Sequence, residues 1–264
     1  MAKDPKDASA GIQSLDAALR VLSVMAAHDG PISLTDLARS ADMPPSKVHR
    51  YLASFLAAGL VEQGGRSGKY DLGRGAVELG LSAIARHDFV NRPSNHLPEL
   101  REATGLTVLL SVWGAAGPTV VRWERAAAPV VTSMGLGTTL PLLNSSTGRV
   151  FLAYGPRPPM EKLLASELAR ARKSPEIFAD FDVSRAGVAA LCDRVRAEGY
   201  ATVSGDYIPG LVAVAAPVLD WQGEAQAVIT LIGTGRDIAR PGSAAVGQLL
   251  EFCRAQSFAP LGAR

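Results

Sequence analysis

Lys47, Arg50 and Ser54 are spaced by three and four residues, which puts them on one face of a helix wherever their segment is helical. Ser46 and His49 are left outside with them. The DNA major groove admits an α-helix, and the arginine fork suits two-point bonding to a guanine edge. Arg66 and Lys69 follow at a glycine-rich turn, from which cations reach phosphates or a minor groove. A merely solvated helix face carries the same residue types, so the weight falls on the elements that hold these side chains.

Those elements lie in residues 32–72, ISLTDLARSADMPPSKVHRYLASFLAAGLVEQGGRSGKYDL. Ser33 can cap a short helix starting at Leu34, with Asp36 as its partner three residues on. Leu34, Leu37, Ala38 and Ala41 give that helix one apolar face. Met43-Pro44-Pro45 breaks it, because Pro44 pushes Met43 away from helical angles and Pro45 suits the first turn of a new helix. The new helix is expected over residues 45–58, with Val48, Leu52, Phe55 and Leu56 turned inward. Residues 60–63 and 69–72 then read as strands around Gly64-Gly65-Arg66-Ser67-Gly68, whose glycines allow the positive φ of a hairpin turn. Helix, tight break, basic helix and hairpin is the order of a winged helix-turn-helix, which makes double-stranded DNA the first partner to consider. A helix over residues 14–27, with Leu15, Leu19, Leu22 and Met25/Ala26 as its core stripe, precedes the unit, and His28 sits in the loop that ends it. Residues 1–88 hold ten Lys/Arg and ten Asp/Glu, whereas residues 45–74 hold five and two. A local positive face on a neutral domain suits specific binding better than indiscriminate coating.

A second chemistry is possible at Asn144-Ser145-Ser146-Thr147-Gly148, which precedes the apolar run Val150-Phe151-Leu152-Ala153. Asn and Ser are good helix caps. A helix N-terminus presents free N–H groups and the positive end of a dipole, so it favours a carboxylate. Simple capping explains the same residues without any ligand.

A chain of 264 residues suggests two domains, and with 47% hydrophobic and 20% charged residues it can build real cores. The net charge of +2 says little about partners. Cys192 and Cys253 are too few for a disulfide framework or a Cys-based zinc site, and each reads as a small buried side chain. No apolar run is long enough for a membrane span, and MAKDPKDASAG lacks the apolar stretch of a signal peptide, so a cytoplasmic protein with a disordered tail over residues 1–13 is expected. No G-x-S-x-G, H-E-x-x-H, P-loop or Rossmann fingerprint is present. His28, His49, His87 and His96 all fall in the first 96 residues, so no base accompanies Ser145 or Ser146 as a nucleophile. No catalytic residue, cofactor or metal is expected.

Residues 75–87 read as a helix that is apolar on more than one side, through Val77, Leu79, Leu81, Ala83, Ile84 and Ala85. Such a helix needs more than one partner. It suits a link between domains that also contributes to a dimer contact; burial within one subunit is the alternative. Beyond residue 92 the pattern changes. Helices are expected over 97–104, 145–154, 157–172, 184–198 and 242–257. Strands are expected over 107–113, 119–125, 129–133, 201–204, 211–219 and 225–232. Strands interrupted by helices, with hairpin-like joins, indicate an α+β domain with an antiparallel sheet.

Three segments together resemble the IclR family of bacterial transcriptional regulators, and the likeness runs from about residue 14 to 258. PPSKVHRYLASFLAAGLVE is similar to that family's recognition helix, including His49-Arg50. LPLLNSSTGRVFLA resembles its effector-domain signature, Leu-Pro-Leu-His-x-Thr-Ala-x-Gly-Lys; here Leu143 replaces the His, Ser145 the Thr, Ser146 the Ala and Arg149 the Lys. GLVAVAAPVLDWQGEAQAVITLIG resembles a second signature, with Ala215-Ala216-Pro217-Val218 intact. The resemblance implies a winged helix-turn-helix (14–74), a linker helix (75–91) and a GAF-like effector-binding domain (92–264). It also implies homodimers or homotetramers on palindromic operators, and a small organic effector that alters DNA affinity. By matching positions it places Leu140, Leu143, Ser145, Ser146, Gly148, Val203, Ala213, Thr230 and Ile232 at the effector. Val203, Ala213 and Ile232 are apolar, so an apolar pocket with one anion-holding end suits an aromatic or otherwise hydrophobic carboxylate. A small polar oxo-acid or sugar acid is the alternative effector. An enzyme carrying a helix-turn-helix and a ligand-free DNA-bound scaffold are the alternatives of another class. Trp113 and Trp123, on expected strands, could line the pocket or simply pack in the core.

Overall fold

The computed structural model describes residues 12–65, 67–126, 134–174, 178, 180–204 and 210–258. The possible strand over 129–133, the Arg66 position and most of the N-terminal tail lie outside them. The chain divides between His87 and Asp88 into two compact units.

In the first unit α1 spans Gln13–Ala27, α2 Leu34–Ser40 and α3 Pro45–Ala57. Ser33 caps α2, its hydroxyl accepting from the Asp36 N–H at 3.2 Å and donating to the Asp36 carboxylate at 2.7 Å. The turn to α3 passes through Asp42, which adopts a left-handed φ of 53°, a conformation that Asp tolerates better than most side chains. Strands β1 (Val61–Gln63) and β2 (Tyr70–Leu72) pair antiparallel, Gln63 facing Tyr70, and Ile32 bridges the far side of Tyr70. Val21, Met25, Leu37, Val48, Leu52, Val61 and Tyr70 form the core. α4 follows over Arg74–Ala85.

Two inward assignments are corrected here. Leu15 and Leu19 are 53% and 50% exposed; α1 buries Met25 as expected, but with Ala18 and Val21 in place of the two leucines. Both stripes have helical spacing, and the small unit has room for only one. Leu56 is exposed at 37%, while its neighbour Phe55 packs against the core.

In the second unit α5 spans Asn91–Thr104, β3 Thr107–Gly114 and β4 Gly117–Glu124. Helices α6 (Ser146–Tyr154), α7 (Arg157–Ala171) and α8 (Arg185–Glu198) come next, then β5 (Ala201–Ser204), β6 (Val212–Leu219), β7 (Ala225–Gly233) and α9 (Ala244–Gln256). α5 starts about two turns before the expected 97, because the Asp88 carboxylate accepts the N–H groups of Val90 and Asn91 and nucleates the first turn. A short 3-10 turn, Arg236–Ala239, was not expected at all.

The five strands form one antiparallel sheet in the order β4-β3-β7-β6-β5. One face carries Val108, Leu110, Val214, Ala216, Ile229 and Leu231 against Leu97 and Leu100 of α5 and Val246, Leu249 and Cys253 of α9. On the other face lies α6, with Phe151 in a core that α7 and α8 complete through Leu164, Leu168, Leu191 and Val195. Burying a Leu or Ile side chain is worth about 1.5–3 kcal/mol, so these apolar layers decide where the helices lie. Among the described residues no helix is long and apolar enough to cross a membrane.

Candidate functional site

On α3, Val48 and Leu52 are buried, while Ser46, Lys47, His49, Arg50 and Ser54 are exposed. The inward stripe therefore leaves the basic residues together on the solvent side. The Ser54 hydroxyl donates back to the Arg50 carbonyl at 3.5 Å, and the Lys47 ammonium lies 6.0 Å from the centre of the Tyr51 ring. Neither contact ties down the Arg50 guanidinium. In the wing, Lys69 is exposed, the Gln63 amide donates to the Gly68 carbonyl at 2.9 Å, and the Lys69 N–H donates to the Ser67 hydroxyl at 3.3 Å. These bonds brace the turn that presents Lys69.

The second site follows from strand register. Val203 faces Ala213, Ala213 faces Ile232, and Leu109 faces Thr230 one step along. Directly paired residues share a face, as do residues two apart on a strand. These five side chains therefore lie on the α6 side of the sheet and floor a single cavity. Leu140, Asn144, Ser145, Ser146 and Thr147 wall it from the first turn of α6 and the loop before it, with Met134 and Leu211 completing the lining. Its volume is about 40 Å³, room for a few water molecules, each needing roughly 10–15 Å³ of such space, so an organic ligand would have to part its walls. At one end the Ser145 hydroxyl caps α6, accepting the Gly148 N–H at 2.9 Å while donating to the Pro141 carbonyl at 2.6 Å. Helix geometry leaves the N–H groups of Ser146 and Thr147 without an intrahelical acceptor. The Thr147 and Thr230 hydroxyls meet at 2.7 Å across the buried floor. The remaining lining is apolar, and no charged side chain stands among the described lining residues.

Comparison with known proteins bears on both units. Residues 14–65 match the IclR helix-turn-helix domain, and residues 81–257 match the C-terminal domain of the bacterial transcriptional regulator IclR. The chain belongs to the IclR family. It is 31% identical over 228 residues to the HTH-type transcriptional regulator BhcR of Paracoccus denitrificans, covering 85% of this chain and 78% of that one. To the transcriptional repressor IclR of Escherichia coli it is 27% identical, over 86% and 81% of the two chains. The crystal structure of Pseudomonas aeruginosa HmgR superposes with a TM-score of 0.79 at 36% identity, covering 93% of this chain and 97% of that one. This IclR-family chain is accordingly a DNA-binding transcriptional regulator.

Seven of the nine effector positions expected from sequence meet at the cavity of this IclR-family domain: Leu140, Ser145, Ser146, Val203, Ala213, Thr230 and Ile232. The other two do not. Leu143 turns into the core beside α6, 1% exposed. Gly148 is there for want of space, because a Cβ on it would meet the Pro141 carbonyl oxygen at 2.1 Å and the Leu142 Cα at 2.5 Å. Leu109, Met134 and Leu211 line the cavity unforeseen, and Asn144 and Thr147 join it from the 144–148 segment singled out above. Leu211, two residues before Ala213, was recoverable from strand alternation; Leu109 needed the pairing register. Trp113 packs edge-on against Phe151, with ring centres 5.6 Å apart, away from the cavity. Trp123 packs on Leu109, Leu140 and Ile232 without lining the cavity itself, and its buried indole N–H has no partner among the described residues.

Two ionic side chains outside the lining hold the loop that enters it. The Glu167 carboxylate on α7 accepts the Leu142 N–H at 2.8 Å and the Leu143 N–H at 3.1 Å. Burial pushes its carboxyl above the usual range, and those two backbone bonds pull it partly back. Arg149, 1% exposed, donates to the Leu143 carbonyl at 2.8 Å and the Thr202 carbonyl at 3.0 Å, pairs with Asp180 and lies over the Phe181 ring.

Gly148→Ala forces a methyl group onto backbone that has no flexible end to yield. We expect it to destabilise the second unit by about 1–3 kcal/mol or more, read as a lower urea midpoint for that unit's transition. An unchanged midpoint would show that α6 can move away from Pro141 at no cost.

Proposed function

We propose that this regulator binds a palindromic operator as a homo-oligomer and changes its DNA affinity when the cavity takes a small organic acid with an aromatic or otherwise hydrophobic body. The observation that carries this is the division of the cavity. One end gathers Asn144, Ser145, Ser146 and Thr147 at the start of α6, and the rest is Leu109, Met134, Leu140, Val203, Leu211, Ala213 and Ile232. N–H groups and the dipole of a helix start favour a carboxylate, and apolar walls favour a hydrophobic body. The winged helix-turn-helix of residues 14–74 would act as the reader, with Ser46, Lys47, His49, Arg50, Ser54, Arg66 and Lys69 toward DNA. Residues 75–91 would link it to the effector domain of residues 92–264, and the protein would work in the cytoplasm, where the chromosome is.

Support for self-association comes from apolar side chains left in water. Leu15 and Leu19 of α1, and Ile12 just before it, are at least half exposed, and Val77, Leu79 and Leu81 of α4 are 57–67% exposed. Apolar surface of this density marks an interaction site. A two-fold dimer presents two recognition helices to half-sites about 34 Å apart, so an effector that tilts one subunit against the other would disturb simultaneous docking.

Three measurements test this. In a thermal-shift panel an aromatic or hydrophobic carboxylate at about 100 times its dissociation constant should stabilise the protein by about 2.7 kcal/mol. A shift with small oxo-acids or sugar acids alone would transfer the assignment to a polar effector, and no shift with any acid would favour a ligand-free scaffold. Arg50→Ala should weaken operator binding by about 1–3 kcal/mol if Arg50 reads a base; an equal loss on unrelated DNA makes it a phosphate contact, and unchanged affinity removes it from the interface. In sedimentation, the wild-type chain should run as a dimer or tetramer and the double variant Leu15→Glu, Leu19→Glu should shift toward monomer. A wild-type monomer at micromolar concentration would overturn the homo-oligomer.

A further inference from the structure

The loop before α6 supplies Leu140, Asn144 and Ser145 to the cavity, yet the bonds that fix it come from residues the cavity does not include. Both sides of Leu143 are gripped. Its N–H is held by a carboxylate, with the Leu142 N–H beside it, and its carbonyl by a guanidinium. Hydrogen bonds with one ionised partner are shorter and roughly twice as strong as neutral ones. The two ions are themselves anchored in different places, Glu167 on α7 and Arg149 on α6. Arg149 also reaches the Thr202 carbonyl, and Thr202 is the neighbour of Val203 on the cavity floor. One guanidinium thus ties the wall loop to the floor strand, and one carboxylate ties the same loop to an outer helix.

We propose that Glu167 and Arg149 are the positioning residues of this cavity: without touching its occupant, they clamp the Leu143 peptide and so hold Leu140, Asn144 and Ser145 in the arrangement that receives a ligand. The proposal rests on the cavity being the effector site. It assigns the departure at Arg149, where the family pattern has Lys, a definite task. A lysine ammonium is a single point on a flexible stem, whereas a planar guanidinium can bond Leu143, Thr202 and Asp180 together.

The test uses the full-length chain and benzoate as the probe. Amide hydrogen exchange is followed by mass spectrometry in wild type, Glu167→Gln and Glu167→Ala, with benzoate titrated in parallel by calorimetry. Loss of a charge-assisted bond to a buried amide should speed exchange of the peptide covering residues 140–146 by about tenfold in the Ala variant and less in the Gln variant, which keeps an acceptor. Exchange in Val212–Leu219 and Ala225–Gly233 should not change. Benzoate affinity should fall less in Glu167→Gln than in Glu167→Ala, while Arg149→Lys should weaken benzoate binding with exchange raised at both 140–146 and 201–204. Unaltered exchange over 140–146 in the Ala variant would overturn the clamp. Equal acceleration through the whole sheet would also overturn it, leaving Glu167 a general stabiliser. If exchange changes locally as stated but benzoate fails to bind wild type, the clamp stands and the hydrophobic-acid assignment of the cavity falls.

Discussion

Backbone lies against backbone where the first turn of α6 crosses Pro141 and Leu142, and only a residue without a side chain fits at position 148. Much of the second unit depends on that approach. It lets the Ser145 hydroxyl span the Gly148 N–H and the Pro141 carbonyl at once. It brings Arg149 within reach of Leu143 and Thr202, and it lowers Thr147 onto Thr230. α8 starts in the same manner, with Ser184 as the cap, Gly187 as its donor and the Asp182 carbonyl occupying the space a Cβ would need. Two helix starts thus use one device: that of α6 faces the cavity floored by Val203, Ala213 and Ile232, and that of α8 borders a separate groove through Arg185 and Val188.

The sheet contributes the opposite kind of constraint. Antiparallel pairing fixes which side chains share a face, and a slip of one residue would reverse every one of them. Such a slip would replace Val203, Ala213 and Ile232 by their neighbours at the cavity floor. The register is held by the packing of Val214, Ala216, Ile229 and Leu231 against α5 and α9, on the face away from the cavity. The shape of the cavity floor is therefore set by contacts on the face behind it.

Local signals in the chain were enough for the winged helix-turn-helix, the order of strands and helices, and the antiparallel α+β class. Proline at 44 and 45, the capping Ser33 and the glycines of 64–68 each act within a few residues. What remained hidden depended on distant partners. Glu167 is an ordinary helix glutamate until α7 docks beside Leu142, and Leu109 becomes cavity lining only through its pairing with Thr230. α1 shows a different limit: its sequence holds two apolar stripes, and periodicity alone cannot say that Ala18, Val21 and Met25 are chosen over Leu15 and Leu19. Leu143 and Gly148 matched the family's signature by position, and the structure places Leu143 in the core and Gly148 against the backbone of Pro141 and Leu142.

The polar end of the cavity consists of hydroxyls, an amide and neutral N–H groups, with no described cation in the lining. A carboxylate held there meets fixed dipoles at short range, an interaction that dissolved ions screen weakly. Contacts from Arg50, Lys47 and Lys69 to phosphates would instead release counterions, and such binding falls steeply as salt rises. If the cavity takes the proposed acid, ionic strength would act on the two halves of this regulator unequally: rising salt would weaken DNA contacts well before it weakened those to the acid.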